Sequence, residues 1–271
     1  MMRVEVLAVG KELLIGRTLN TNAHWVGKRL ARMGTMIKEI TTVDDDLVEI
    51  GSSFRSIVRR SPDFLVVMGG LGPTPDDMTL KSIADALGVG LKLNDEALAM
   101  IREHYNRRGL GKMELTPSRV KMATLPAGAE PLPNATGTAP GARLTAGRTV
   151  VFCLPGVPVE MRGIFRRSVE PEVKGKLGVL HRRYVTMKIE GVFESALAPL
   201  IAEELARHPG AYIKSHPRGI REGVSRIELD IAVVGEDKGQ TEDEGAAIAR
   251  EMQKGVTSMG GKIKASRGLE D

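Results

Sequence analysis

The chain has one cysteine, nine aromatic residues (one Trp, three Tyr and five Phe, 3 % of 271), and no apolar run of membrane-spanning length. A lone Cys153 excludes an internal disulfide, and its setting in Val150-Val151-Phe152-Cys153-Leu154 reads as a buried strand position. Scarce aromatics demand an aliphatic core and supply few base-stacking surfaces, which argues against nucleic acid as a partner. No basic-then-apolar amino-terminal signal is present, because Met1 leads directly into the short, strand-like Val4 to Val9. A cytoplasmic protein with no membrane partner is the expectation. The five histidines are scattered without metal-ligand spacing, and neither a Walker loop nor a Gly-x-Ser-x-Gly elbow occurs. Charge is mild, +5 from 39 basic and 34 acidic residues. The pairs Arg59-Arg60, Arg107-Arg108, Arg166-Arg167 and Arg182-Arg183 read as solvated helix faces and ends.

The stretch richest in chemistry is Leu65 to Thr79, where an apolar run meets Gly69, Gly70 and Gly72, followed by Thr74, Asp76, Asp77 and Thr79. It reads as a buried strand, a tight turn and a helix start, the setting in which backbone amides receive an anion. Asp76 and Asp77 then either hold a divalent cation or activate water, or else cap the helix behind them. Around this stretch, strands and helices alternate. Val4 to Val9 is a strand that Gly10 breaks, Lys11 to Gly16 is a loop or short turn, and a helix opens at Asn20-Thr21-Asn22. A strand from about Met36 to Thr42 delivers Asp44-Asp45-Asp46 to its carboxyl end, and helices follow after Asp46, Asp77 and Asn94. This alternation implies a doubly wound, mostly parallel sheet whose ligand crevice lies at the strand carboxyl ends. Gly10, Asp45 and Gly69 all fall there.

From Asn106 to Arg148 the pattern breaks up, with Gly109 to Met113 turn-like. Asn134 to Gly141 is either a ligand-covering loop or a plain hairpin connection. Strand Thr149 to Leu154 runs into a sharp turn at Pro155-Gly156, where Glu160 either offsets a helix dipole or closes the site. Past Gly178 the grammar changes to β-α-β-β-α, a small α+β domain. The expected division is residues 1–176 and 177–271. Lys214 to Gly219 reads as an exposed polar turn of that second domain.

Taken together, Gly10 with Glu12-Leu13-Leu14, Thr21-Asn22, Asp45-Asp46, and Gly69-Gly70-Leu71-Gly72-Pro73-Thr74 with Asp76, Asp77 and Thr79 resemble the competence/damage-inducible protein A (CinA) family. The resemblance continues through Leu125-Pro126, Pro133-Asn134, Gly137, Ala139-Pro140-Gly141 and Pro155-Gly156 to Glu160-Met161. It implies a three-layer α/β/α domain similar to the molybdopterin-binding domain of molybdenum cofactor biosynthesis proteins, and homo-oligomers. Leu71, where the molybdopterin proteins carry threonine, implies divalent-metal-dependent hydrolysis of ADP-ribose, FAD or a related nucleoside diphosphate compound. The alternative is molybdopterin binding or adenylyl transfer in molybdenum cofactor assembly. On this reading Asp77, Asp76 and Asp45 are catalytic, with Asp45 and Asp77 holding magnesium or a similar ion. Gly10, Glu12, Asn22, Gly69, Gly70, Gly72, Thr74, Thr79, Asn134, Gly156 and Glu160 bind the phosphorylated small molecule. Where the family commonly has a glutamine-containing run, this chain has Arg119 to Ala123, and Lys121 is its candidate phosphate contact.

Overall fold

A computed structural model describes residues 2–107, 114 and 116–268. The turn expected at Gly109 to Met113, and Arg108, lie outside the described residues. The chain divides into two compact units, Met1–Leu177 and Gly178–Asp271.

In the first unit every residue of β1 (Val4–Val9) is buried, because a strand with parallel partners on both sides has no solvent face. Helices α1 (Lys11–Leu14) and α2 (Thr21–Arg32) follow, then β2 (Ile37–Val43), α3 (Leu47–Arg59), β3 (Phe64–Met68) and α4 (Thr79–Leu87). Next are β4 (Leu91–Leu93) and α5 (Asp95–Arg107), and the region from Asn106 to Arg148 where the sequence pattern breaks up contains α6 (Pro117–Met122), β5 (Thr124–Pro126), β6 (Glu130–Leu132) and β7 (Gly141–Ala146). Then come β8 (Thr149–Leu154), α7 (Pro158–Ile164), one π-helical turn (Phe165–Val169) and α8 (Glu170–Leu177). The main sheet runs β2-β1-β3-β8-β7-β6, parallel from β2 to β8 and antiparallel beyond.

Alternation along β1 and β3 separates two aliphatic cores. Leu7, Val9, Leu65 and Val67 pack with Ile50, Phe54, Ile83 and Ile101 of α3, α4 and α5. Val4, Val6, Phe64, Val66 and Met68 pack with Val26, Leu30, Met161, Phe165 and Val173 on the opposite face. This is the three-layer α/β/α arrangement, and Cys153 is fully buried within it. Helix ends follow local chemistry: Asn20 and Asp46 cap α2 and α3 with side-chain acceptors, and Gly88 ends α4 in a left-handed conformation. The first residue pair that reads as a solvated helix end is different in fact. Arg60 turns inward to Glu5, a fully buried carboxylate of β1, with Arg3 also 3.6 Å away.

The second unit is built from β9 (His181–Glu190), α9 (Glu194–Arg207), β10 (Tyr212–Arg221), β11 (Val224–Gly235), α10 (Lys238–Ser258) and β12 (Lys262–Gly268). Its strands form one antiparallel sheet in the order β10-β11-β9-β12, a split β-α-β arrangement. Ile227, Leu229, Ile231 and Val233 point to one face and pack with Leu197 of α9 and Ile248, Met252 and Val256 of α10. Two readings are corrected here. Lys214 to Gly219 is not a turn but the middle of β10, held by pairing with β11 across a bulge between Pro217 and Ile220. The sixth element, β12, completes the sheet. A short polar strand of this kind carries little hydrophobic periodicity, so only its pairing with β9 reveals it.

Candidate functional site: the crevice at the strand ends

Four parallel strands end side by side, and their following turns are stitched together. Gly10 N donates to Val43 O (3.0 Å), Gly69 N to Leu154 O (3.0 Å), and Asn22 Nδ2 to Gly156 O (2.7 Å). Backbone conformation explains two of the glycines. Gly69 has φ 108° and lies so close to β1 that a Cβ would sit 2.2 Å from Val9 O. Gly70 has φ 67°, and a Cβ there would meet Thr79 Oγ1 at 2.3 Å. Thr79, fully buried, donates its hydroxyl to Gly69 O (2.8 Å), which ties the first turn of α4 to the strand end. Gly156 stands against Gly69, with 3.5 Å between its would-be Cβ and Gly69 Cα. Gly10, Asn22, Gly69, Gly70, Gly156 and Thr79 therefore meet at one place.

The carboxylates gather beside them. Asp45 Oδ2 accepts the Lys11 backbone N–H at 2.8 Å, and Lys11 Nζ donates to Asp44 Oδ2 at 3.1 Å. Glu12 folds over Gly10, where a Cβ would be 2.6 Å from its carboxylate. Burial, joined by the neighbouring charges of Glu12, Asp44 and Asp76, pushes the Asp45 carboxyl above its ordinary 3.8 despite the Lys11 N–H. Lys11 and Asp44 were not among the residues singled out from sequence. Their signal was present, a basic residue just after one strand and an acidic residue just after the next.

Asp76 and Asp77 differ in role. Asp77 Oδ2 accepts both the backbone N–H (2.9 Å) and the hydroxyl (2.5 Å) of Thr74, closing the Gly72 to Asp77 turn on itself. Neither aspartate caps α4, whose N-cap position is Met78 with no side-chain bond. Asp76 is exposed, and the Thr74 hydroxyl, its own backbone N–H and the Lys121 charge hold it below 3.8. The Thr74 hydroxyl itself donates to Asp77. Lys121 Nζ also donates to Thr74 O.

Asn134 and Glu160 are bonded to each other. Asn134 Oδ1 accepts from the backbone of Thr136 (3.2 Å) and Gly137 (2.8 Å), while Nδ2 donates to Ala139 O (2.8 Å) and Glu160 Oε2 (2.7 Å). The Asn134 to Gly141 segment joins the antiparallel strands β6 and β7, and its first residue, Asn134, hydrogen-bonds across it. Glu160 fastens that hairpin to α7, with Gly137 kept small by the approaching carboxylate.

Among the described residues no group of three or more His, Cys, Asp and Glu side chains is placed to hold a metal ion by itself. The donors are nevertheless hard oxygens, and Asp45 faces other carboxylates. That suits a magnesium-type ion, which commonly binds through one or two carboxylates plus substrate phosphates. Among the described residues, Asn22 Oδ1 is a buried acceptor without a hydrogen-bond partner.

Such a sheet, with a glycine turn and a carboxylate rim at its strand ends, defines an α/β protein of the doubly wound class. Residues 5–175 match the family described as "probable molybdopterin binding domain", and the chain belongs to that family. Its relatives place it in the CinA branch. A protein of Pyrobaculum arsenaticum is 44% identical over 226 residues, 83% of this chain and 84% of that one. A CinA-like protein of Frankia casuarinae is 43% identical over 212 residues, covering 76% of this chain and 48% of that protein. The crystal structure of CinA from Thermoplasma acidophilum, described as of unknown function, aligns at 42% identity with a TM-score of 0.57. It covers 63% of this chain and 98% of that one. No helix among the described residues is long and apolar enough to cross a membrane.

Proposed function

We propose that the crevice binds and hydrolyses the pyrophosphate of a small nucleotide, making the protein a divalent-metal-dependent pyrophosphatase for ADP-ribose, FAD or a related nucleoside diphosphate compound. The observation that carries this reading is the juxtaposition of the Gly69 to Thr74 turn with Asp45 and Asp76. Phosphoryl transfer needs little covalent chemistry from a protein; it needs charge neutralisation and a placed water. The turn offers the backbone amides of Gly70, Leu71 and Gly72 to the phosphates, those of Gly69 and Thr74 being taken by Leu154 O and Asp77, and Lys121 adds a positive charge beside Thr74 and Asp76. Asp45, whose carboxylate accepts the Lys11 N–H beside the turn, orients the attacking water. Asn22 Oδ1 accepts a hydrogen bond from the ligand. Asp45 with Asp76 or Asp77 would hold a divalent cation, which would supply the remaining charge neutralisation. Water adds to one phosphorus as the bridging oxygen leaves with the other, so ADP-ribose yields AMP and ribose phosphate. The active species is a homo-oligomer in the cytoplasm.

The family description favours a second reading, in which the same crevice binds molybdopterin or transfers an adenylyl group to it. Incubation of the purified protein with magnesium or manganese and ADP-ribose, FAD, or molybdopterin plus ATP separates the two. AMP released from a dinucleotide supports the hydrolase; adenylylated pterin without dinucleotide cleavage sinks it.

A further inference from the structure

In the second unit both helices pack on one face of the sheet, against Ile227, Leu229, Ile231 and Val233, so the alternate residues of each strand make up a face without a helix. At one end of that face Tyr212 of β10 and Tyr184 of β9 both pair with Ala232 of β11, one from each side. Two rings thus flank a methyl group, their backbones two strand spacings, about 10 Å, apart. Tyr212 is 52% exposed. Tyr184 is held in place by Asp230, and burial together with that carboxylate pushes its phenol up to about 12, which keeps the ring neutral. Aromatics are scarce in the chain, yet two of its three tyrosines stand here. The charges beside them lean one way. Glu228 is met by Arg218 at 3.1 Å, Glu190 by Arg226 at 3.2 Å and Lys264 at 3.5 Å, and Asp230 by the Thr186 hydroxyl at 2.7 Å and His216 at 3.3 Å. Lys188 and Lys214 are exposed, on the strands either side of β11, and make no ion pair among the described residues. Two uncommitted ammonium groups beside two neutral rings are what unpaired bases and the phosphates between them require.

From this geometry we infer that the helix-free face of the second sheet binds single-stranded RNA, a base stacking at Tyr184 and Tyr212 and neighbouring phosphates meeting Lys188 and Lys214. A four-stranded sheet with aromatics on its open face is a recurrent platform for unpaired bases. A duplex keeps its bases stacked inside and offers the rings nothing. RNA suits the face better than DNA, because Asp230 and Glu228 have lone pairs beyond those already engaged and a ribose 2′-hydroxyl can donate to them. Deoxyribose has no such donor. This binding is independent of the pyrophosphate chemistry proposed for the first unit.

Fluorescence anisotropy of the full chain with a short labelled oligouridylate, its deoxy counterpart and an RNA duplex tests this across a salt series. The oligouridylate is expected to bind at least tenfold more tightly than the duplex and more tightly than the deoxy strand. Tyr212→Ala should weaken it at least fivefold, as loss of one base–aromatic stack does, while Tyr212→Phe stays within twofold of wild type. Lys188→Gln combined with Lys214→Gln should flatten the log–log salt dependence by about 1.4, the contribution of two single-strand phosphates. No binding of the oligouridylate, duplex binding of equal strength, or an unchanged salt slope in the double lysine variant overturns the inference. So does full affinity in a Tyr212→Ala protein that keeps its melting temperature. Equal or tighter binding of the deoxy strand rejects RNA as the occupant.

Discussion

Asp77 is folded back onto Thr74, its Oδ2 accepting both the backbone N–H at 2.9 Å and the hydroxyl at 2.5 Å. A carboxylate in that geometry shapes the Gly72 to Asp77 turn, whether or not it also meets a cation. The two roles separate experimentally. Asp77→Ala should cost about 1 kcal/mol, as loss of a capping acceptor does, and lower the melting temperature by a few degrees. Thr74→Val removes the same hydroxyl contact and leaves the carboxylate. If AMP release collapses in Asp77→Ala and survives in Thr74→Val, Asp77 meets the reacting groups; equal losses in both assign it to the turn alone.

Gly69 and Gly88 make a matched pair for measuring what the close approach contributes. Both have positive φ, 108° and 68°, but a Cβ at Gly88 meets nothing within 4 Å, whereas at Gly69 it meets Val9 O at 2.2 Å. Gly88→Ala should cost about 1 kcal/mol from backbone strain alone. Gly69→Ala adds a collision with main chain that cannot rotate away, for a total on the order of 3 kcal/mol. Urea midpoints of the two variants check the difference, and equal midpoints would mean the strand-end turn is looser than described.

The Asp45 carboxyl gives a pH signature of definite sign. Its pKa is raised by burial and by Glu12, Asp44 and Asp76, so the folded state holds its proton more tightly than the unfolded chain does. Between the unfolded value of 3.8 and the raised folded value, this group makes stability fall as pH rises. Asp45→Asn keeps an acceptor for the Lys11 N–H and removes the charge, so it should raise the melting temperature at pH 7 while weakening magnesium-dependent phosphate binding. A carboxyl NMR titration of the wild-type protein should show the pKa above 3.8 without magnesium and lowered when magnesium and pyrophosphate are present.

Far from the crevice, Glu5 and Arg60 set a different kind of limit. Glu5 is fully buried and Arg60 supplies the principal contact to it. Arg60→Ala strands a charge in the core and should cost about 3–5 kcal/mol. The double variant Glu5→Gln with Arg60→Ala should recover part of that loss in chemical denaturation. No recovery would show that Arg60 acts through packing of its stem.

Cys153 offers a simple check on the core of the first unit. Burial pushes its thiol up to about 12, and the side chain is inaccessible. A thiol reagent should leave the native protein unlabelled at pH 8 and react fully in denaturant; rapid native labelling would mean that β8 opens.

Local patterns carried much of this protein's description. Continuous apolar runs mark β1 and β3 because strands buried on both faces have no room for polar alternation. Asn20, Asp46 and Asn94 announce their helices because a side-chain oxygen can satisfy amides that the first turn leaves open. The run from Gly69 to Thr79 is legible for the same reason: only glycine fits those backbone angles and distances. Pairings between distant segments have no such local mark. That Lys11 meets Asp45, that Lys121 reaches Thr74, that Asn134 is occupied by Glu160, and that Arg60 turns inward to Glu5 depend on which strand ends and helices the topology sets side by side. β10 through Lys214 to Gly219 depends in the same way on the ladder it forms with β11. Hydrophobic periodicity and capping are properties of a few consecutive residues, whereas ion pairs, shared protons and strand registers are properties of chain ends brought together, and only the folded chain decides them.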